Sequence, residues 1–270
     1  MLKKWIGSIP LHQKKAAIWL VALVLVAIAA FNARPAVEMV FKTITYVEAA
    51  RKLPIYSVET QEKRVAISFD AAWGADDTDK LLSILKDHDT LATFFLCGYW
   101  VDKYPEEVKK IYEAGHDIGN HSKTHAHGGE LSFSQNVEEI MGAHEKIKKL
   151  LGIDMNLYRP PYGEYNNTVI QAAQDNNYFP IQWDVDSHDW MNKGVDYEIN
   201  RVLNNKNLRN GSIILFHNDA KDTPIALPVI LDGLKERGYT VGPVSALIYK
   251  EGYHLDNTGR QFLDSSTASK

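Results

Sequence analysis

The sequence predicts an α/β protein, a distorted (β/α) barrel of about seven strands behind an N-terminal membrane-anchoring or signal segment. Three observations lead there. From residue 64 onward, short apolar runs alternate with amphipathic helical stretches, about six or seven times over. Several of these runs are apolar throughout, as strands covered on both faces of a parallel sheet are. Polar clusters recur where a strand gives way to a loop, the end at which parallel α/β folds hold their ligands. The boundaries read as 1–31 for a signal peptide or signal-anchor helix, 32–62 for a linker, 63–250 for the barrel and 251–270 for an unstructured C-terminal tail.

At the N-terminus, Lys3, Lys4, Lys14 and Lys15 precede an uncharged apolar run over 16–31. A helix of that length spans roughly 24 Å against about 30 Å of hydrocarbon, and Ala27-Ile28-Ala29 offers a cleavage site. Cleaved or not, the segment keeps its lysines cytoplasmic and exports the rest, to the outer face of the membrane or the cell-wall side. Pro35 and Pro54 break the linker.

The barrel elements then follow. A strand over 64–69 leads to a helix over 77–86 carrying Leu81, Leu82, Ile84 and Leu85. A strand over 90–96 precedes a helix over 105–114, with Pro105 at its start, where the missing N–H matters least, and Gly115 past its end. A short strand over 116–120 comes before the longest helix, 133–151. Its Val137, Ile140, Met141, His144, Ile147 and Leu151 share one face, and Gly152 ends it. Strands over 156–159, 178–183 and 212–216 alternate with helices over 168–175, 197–203 and 224–237.

The chain has 270 residues, 45% hydrophobic and 24% charged, enough to bury a sizeable core. A net charge of −4, with no long basic run beyond the first fifteen residues, excludes a nucleic-acid partner. Cys97 is the sole cysteine, so no internal disulfide forms. Its apolar neighbours Phe94, Phe95 and Leu96 make it a buried hydrophobe rather than a nucleophile.

Five clusters carry chemistry. Asp70 closes the first strand. His121 and His125, four apart in a polar segment, are spaced to hold one borderline metal ion. Arg159-Pro160-Pro161-Tyr162-Gly163 offers a cation on a stiff turn. Asp186-Ser187-His188-Asp189-Trp190 is acidic and aromatic, and Leu215-Phe216-His217 ends the most apolar strand. Each alone reads as a turn, a cap or a solvated face; five in succession on consecutive βα units point to a site.

In this order the clusters resemble the five motifs of the polysaccharide deacetylase family, the NodB-homology domain or carbohydrate esterase family 4, and most of all its PdaB-type sporulation branch. The resemblance covers about residues 63–248. It implies metal-dependent hydrolysis of N-acetyl groups from N-acetylglucosamine or N-acetylmuramic acid units of a cell-wall glycan, peptidoglycan or chitin-like. It also implies membrane attachment through the N-terminal segment. Asp70 is then the general base, oriented and kept ionised by Arg159. His217 is the acid that protonates the leaving amine, and Asp189 raises its pKa. His121 and His125 hold a divalent metal, zinc being the expected ion. The Tyr162 backbone N–H faces the oxyanion, and Trp190 and Leu215 shape the acetyl pocket.

The sequence departs from the family at Ala71, where the family carries a second, metal-ligating acid, and at Trp73, where it has proline. A methyl group ligates nothing, which leaves two inherited ligands where catalytic zinc sites use three. Asp76, Asp77 and His127 are the candidate replacements in the sequence, although Asp76 and Asp77 also read as a helix cap. The alternative function is a glycan-binding or scaffolding protein that keeps the groove without turnover; a hydrolase acting on another acyl substrate is the third.

Overall fold

The structure, a computed structural model, describes Phe31, Asn32, Arg34 and residues 51–264. The expected signal or anchor helix and most of the expected linker lie outside the described residues. Residues 52–270 form one unit, distinct from 1–51, and the barrel lies within it. Among the described residues no helix is long and apolar enough to cross a membrane.

The elements run β1 (Ser57–Val58), β2 (Arg64–Ala71), α1 (Thr78–Asp87), β3 (Thr93–Leu96), α2 (Gly98–Lys103), α3 (Pro105–Glu113), β4 (Asp117–Asn120) and α4 (Phe133–Leu151). There follow β5 (Leu157–Tyr158), α5 (Asn167–Asp175), β6 (Phe179–Pro180), β7 (Val185–Asp186), α6 (Val195–Leu203), β8 (Ile213–His217), α7 (Thr223–Glu236), β9 (Thr240–Gly242), α8 (Val244–Leu247), β10 (Tyr253–Leu255) and β11 (Arg260–Leu263). The main sheet has the order β6-β5-β4-β3-β2-β8-β7, with β9 beside the start of β2. Every pairing in it is parallel, and the expected distorted barrel takes the form of a half-barrel of seven strands.

The period-2 alternation of β2 explains both layers of the core. Val65, Ile67, Phe69 and Ala71 pack outward against helix residues such as Leu81, Leu85, Ile140 and Leu227. Ala66, of the opposite parity, packs with Phe95, Leu157 and Ile213 inside the curve. Ser68 and Asp70 share that inner parity, so the strand that builds the outer core aims its acid into the barrel. The longest helix starts with a reciprocal cap between Ser132 and Gln135 and ends at Gly152 in the left-handed region.

Two expectations need correction. Part of the segment read as a linker is sheet: the Ile55 N–H donates to Pro180 O (2.8 Å), the Gln182 N–H to Ile55 O (2.7 Å) and the Val58 N–H to Gly211 O (2.9 Å). This run spans the opening between β6 and the start of β8, two residues of regular strand being too few to show a period. The expected tail is also ordered through residue 263. β10 and β11 form an antiparallel hairpin, and β11 pairs with β1. Its turn is built by Asp256 Oδ1, which accepts from the Thr258 and Arg260 N–H groups, and by Gly259 at φ 78°. A Cβ at Gly259 would meet Tyr56 Cδ2 at 2.5 Å, so glycine is required there.

Candidate active site

Sheet register assembles the site. Asp70 pairs with His217 across β2 and β8, so a carboxylate and an imidazole distant in sequence sit side by side. On the other side Ala71 pairs with Leu96, Leu96 with Asn120 and Asn120 with Tyr158. The next residues, Cys97, His121 and Arg159, therefore leave the sheet together.

Arg159 is wholly buried and donates from Nη1 to Asp70 Oδ1 (2.7 Å) and from Nη2 to Ser68 Oγ (2.9 Å) and Gln182 O (3.2 Å). Its guanidinium lies 4.1 Å from the Phe95 ring centre. Burial pushes the Asp70 carboxyl up, but the charge of Arg159, then those of His121 and His217, outweigh it, and the net shift is downward. Asp70 is an ionised base at neutral pH.

The opposite holds at His217. Asp189, 2% exposed, accepts from His217 Nδ1 through Oδ1 (2.7 Å) and from the His217 N–H through Oδ2 (2.6 Å). Burial disfavours the imidazolium, but the hydrogen bond and charge of Asp189, with Asp70 and Asp186 behind, lift the pKa to about 9. His217 is a protonated acid at neutral pH. Two groups driven apart by their surroundings are what general acid–base catalysis requires.

The histidine loop is held by side chains. Asn120 Oδ1 accepts from the Ser122 N–H (2.9 Å), Ser122 Oγ from the His125 N–H (2.9 Å), and Glu139 pins Thr124 to α4. Ser122, His125, Tyr162 and His188 all have positive φ, at 68°, 59°, 59° and 53°, a concentration of backbone strain typical of functional sites. His121 Nδ1 donates to Arg159 O (2.8 Å), leaving the Nε2 lone pair free. His125 Nδ1 is buried with no partner. Burial lowers the pKa of His121 below its ordinary value, and burial, and then His121, lower that of His125 to about 4, so both imidazoles are neutral at physiological pH. Among the described residues, the donor atoms of Cys97, His121 and His125 lie within 4.8 Å of one another. Two free imidazole nitrogens beside a sulfur fit a borderline divalent ion such as zinc.

The proposed replacements for the missing acid do not join that cluster. Asp77 stands at the N-cap position of α1, Asp76 is exposed, and His127 Nδ1 is bound to Glu164 Oε2 (2.8 Å). Ala71 is fully buried in the outer core.

Asp70, His121, His125, Tyr162, Trp190, Leu215 and His217 line one cleft of about 480 Å³. Asp189 and Arg159 lie behind it. Leu215 is buried, whereas Trp190 and Tyr162 are exposed at the rim, Tyr162 stacked on His127 with ring centres 4.2 Å apart. Trp73, also exposed, stands edge-on to His125 at 4.9 Å. Gly74 lets this loop approach Asp219, whose Cβ lies 2.8 Å from where a side chain would begin. A larger groove of about 1020 Å³ adjoins the cleft through Trp183 and Asp186 but contains neither the base nor the acid.

Sequence reasoning missed two groups behind Asp189. Thr223 Oγ1 lies 3.2 Å from Asp189 Oδ2 and 3.0 Å from Glu198 Oε1. Burial, with Asp189 and Asp222 nearby, raises the Glu198 pKa to about 8. The folded state thus holds a proton that the unfolded chain releases near 4.5. The favourable contribution is complete below about pH 4.5 and is lost as pH rises through 8. Glu198→Gln is expected to remove that loss, narrowing the difference in Tm between pH 5 and pH 8 relative to the parent. An unchanged difference would show that Glu198 is already ionised.

A curved parallel sheet thus carries an ionised carboxylate, a protonated histidine and two imidazoles at its C-terminal mouth. The polysaccharide deacetylase family model matches residues 57–181. A peptidoglycan-N-acetylglucosamine deacetylase of Bacillus cereus is 34% identical over 198 residues, 72% of this chain and 92% of that protein. The peptidoglycan-N-acetylmuramic acid deacetylase PdaA of Bacillus subtilis is 31% identical, over 74% of this chain and 77% of that one. Among solved structures, a carbohydrate esterase family 4 pseudoenzyme from Bacillus anthracis matches with a TM-score of 0.70 at 32% identity, covering 73% of this chain and 69% of that one. A mutant of that pseudoenzyme with restored enzymatic activity matches equally well. The chain belongs to the polysaccharide deacetylase family.

Proposed function

We propose that the chain hydrolyses N-acetyl groups from N-acetylglucosamine or N-acetylmuramic acid units of peptidoglycan, on the outer side of the membrane to which its N-terminal segment holds it. The observation that carries this reading is the pairing of Asp70 with His217: an ionised base and a protonated acid on adjacent strands, both lining the cleft. Asp70 takes the proton of the attacking water, and Arg159 holds it in place. His217 delivers a proton to the departing amine, its imidazole oriented by Asp189. Leu215 and Trp190 wall the cleft where an acetyl methyl needs apolar surface. A divalent metal, when held by His121 and His125, polarises the amide carbonyl and lowers the pKa of water. The PdaB-type pattern of motifs supports a role in sporulation, checked by whether the gene is expressed with spore-wall synthesis.

The test is acetate release by the full-length chain on N-acetylated peptidoglycan and chitin oligomers, metal-free and with zinc or cobalt added. Metal-dependent release is expected. Tight glycan binding without release under any metal would instead favour the binding protein, the reading that Ala71 supports.

A second prediction follows from Ala71, which is buried at the end of β2 with its carbonyl accepting from the Cys97 N–H (3.0 Å). Ala71→Asp places a carboxylate there. The variant is expected to melt below the parent when metal-free, because a buried unpaired charge is unfavourable, and to gain Tm steeply with zinc, because a ligand that binds only the folded state stabilises it by mass action. Calorimetry across a zinc titration reads both; equal zinc shifts in parent and variant would show that residue 71 does not face the histidines.

A further inference from the structure

We propose that the thiolate of Cys97 is the third protein ligand of a metal centre with His121 and His125, and that this centre takes zinc or a similarly thiophilic divalent ion. The inference deepens the deacetylase reading and rests on it only for the expectation that a divalent ion is used.

Cys97 begins its loop beside both the histidine segment and the position of the missing acid. Its N–H donates to Ala71 O (3.0 Å), and the next strand continues the ladder with the His121 N–H donating to Leu96 O (3.0 Å). The Cys97 thiol donates to His121 O (3.1 Å), a weak bond that is readily given up. The donor atoms of Cys97, His121 and His125 all lie within 4.8 Å of one another. With bonds of about 2.3 Å to sulfur and about 2.0 Å to nitrogen, a tetrahedral ion needs donor separations of roughly 3.5 Å. Closing the cluster onto an ion therefore takes at most about 1.3 Å per donor pair.

A second observation points the same way. His125 is 8% exposed, and its Nδ1 is buried with no hydrogen-bond partner. Buried polar atoms are almost always satisfied, so an orphan on a residue of this cluster asks for a partner the protein does not itself supply. Two histidines alone fall short of the three ligands of a catalytic zinc site. Sulfur supplies the third, and the set leaves one coordination position open. On binding, the thiol bond to hydrogen is exchanged for the bond to the ion and one proton passes to solvent. A soft sulfur in place of a hard carboxylate oxygen turns selectivity toward zinc and cobalt and away from magnesium and manganese.

The test reads the ligand, not the turnover. The metal-free full-length chain is titrated with cobalt(II) and followed by absorption. A thiolate-to-cobalt charge-transfer band in the near ultraviolet, with strong tetrahedral bands in the visible, is expected. In Cys97→Ala the charge-transfer band disappears and zinc affinity falls by on the order of 100-fold or more, since losing even a group that only orients a ligand weakens such sites by about 10- to 100-fold. Cys97→Ser keeps the volume and guards against a folding defect; it binds cobalt without the band. Cobalt bound by the parent with no charge-transfer band, or no cobalt bound at all, overturns the assignment, as does unchanged zinc affinity in Cys97→Ala. Acetate release by a parent lacking the band would sink the thiolate and leave the deacetylase standing. The band without acetate release would do the reverse.

Discussion

Asp70→Asn loses acetate release by roughly 100- to 10,000-fold, the usual worth of a positioned general base, and the same variant is markedly less stable. The second effect comes from Arg159. Its guanidinium is fully buried, and Asp70, 6% exposed, is the carboxylate that contacts it. The amide introduced by the substitution would still accept a hydrogen bond but bring no charge. Removing one partner of a buried ion pair costs about 3–5 kcal/mol, because the other charge stays behind without compensation. For a domain of this size that lowers Tm by on the order of 10 °C.

The two effects separate in a double variant. Asp70→Asn combined with Arg159→Met removes the stranded charge and is expected to recover most of the lost Tm, because well-packed apolar replacements of buried pairs are often neutral. It recovers no activity. The pair's own pH dependence has a definite sign. The Asp70 pKa is lowered in the fold, so its contribution is complete above the ordinary value of 3.8 and lost as pH falls below it. An Asp70→Asn protein that melts with the parent at pH 7 would show that Arg159 draws its compensation from Ser68, Gln182 and the Phe95 ring alone.

The five clusters were legible because each sits at a strand end, where apolar runs stop and polar residues with turn formers begin. Asp70, His121, Arg159 and His217 could thus be placed at one mouth before any register was known, and they line or back one cleft. The sequence makes Cys97 a buried hydrophobe, and it is buried. Its sulfur faces the histidine donors because β3 and β4 pair in a register that local sequence does not express. Thr223 and Glu198 escaped for a similar reason: a threonine opening one helix and a glutamate on another look like ordinary cap and surface residues until α6 and α7 pack over Asp189. The two-residue strands β1, β5, β6 and β7 are too short to carry a period of two. Their existence depends on the neighbours that supply their hydrogen bonds.

The rate of deacetylation, as kcat/KM, is expected to hold through neutral pH and fall on the alkaline side with an apparent pKa near 9, the value to which Asp189 lifts His217. The sign follows from the role. The acid must carry its proton when the amine departs, and above pH 9 each further unit removes the protonated form about tenfold. Asp189→Asn takes away the largest influence that holds the imidazolium, while burial still opposes it and Asp70 and Asp186 still favour it, so the alkaline limb moves down from 9 toward the ordinary histidine value of 6.5. At pH 8 a full return to 6.5 lowers the rate by about 30-fold, the upper limit of the effect, whereas at pH 5.5 the two proteins differ far less. His217→Ala, which has no acid at any pH, loses roughly 100- to 10,000-fold and its limb disappears. Stability moves in parallel, because a raised histidine pKa contributes fully below pH 6.5 and ceases to contribute as pH rises through 9. An alkaline limb near 9 that stays in place in Asp189→Asn would mean that the titrating group is not His217, and the proton for the leaving amine would have to come from elsewhere in the cleft.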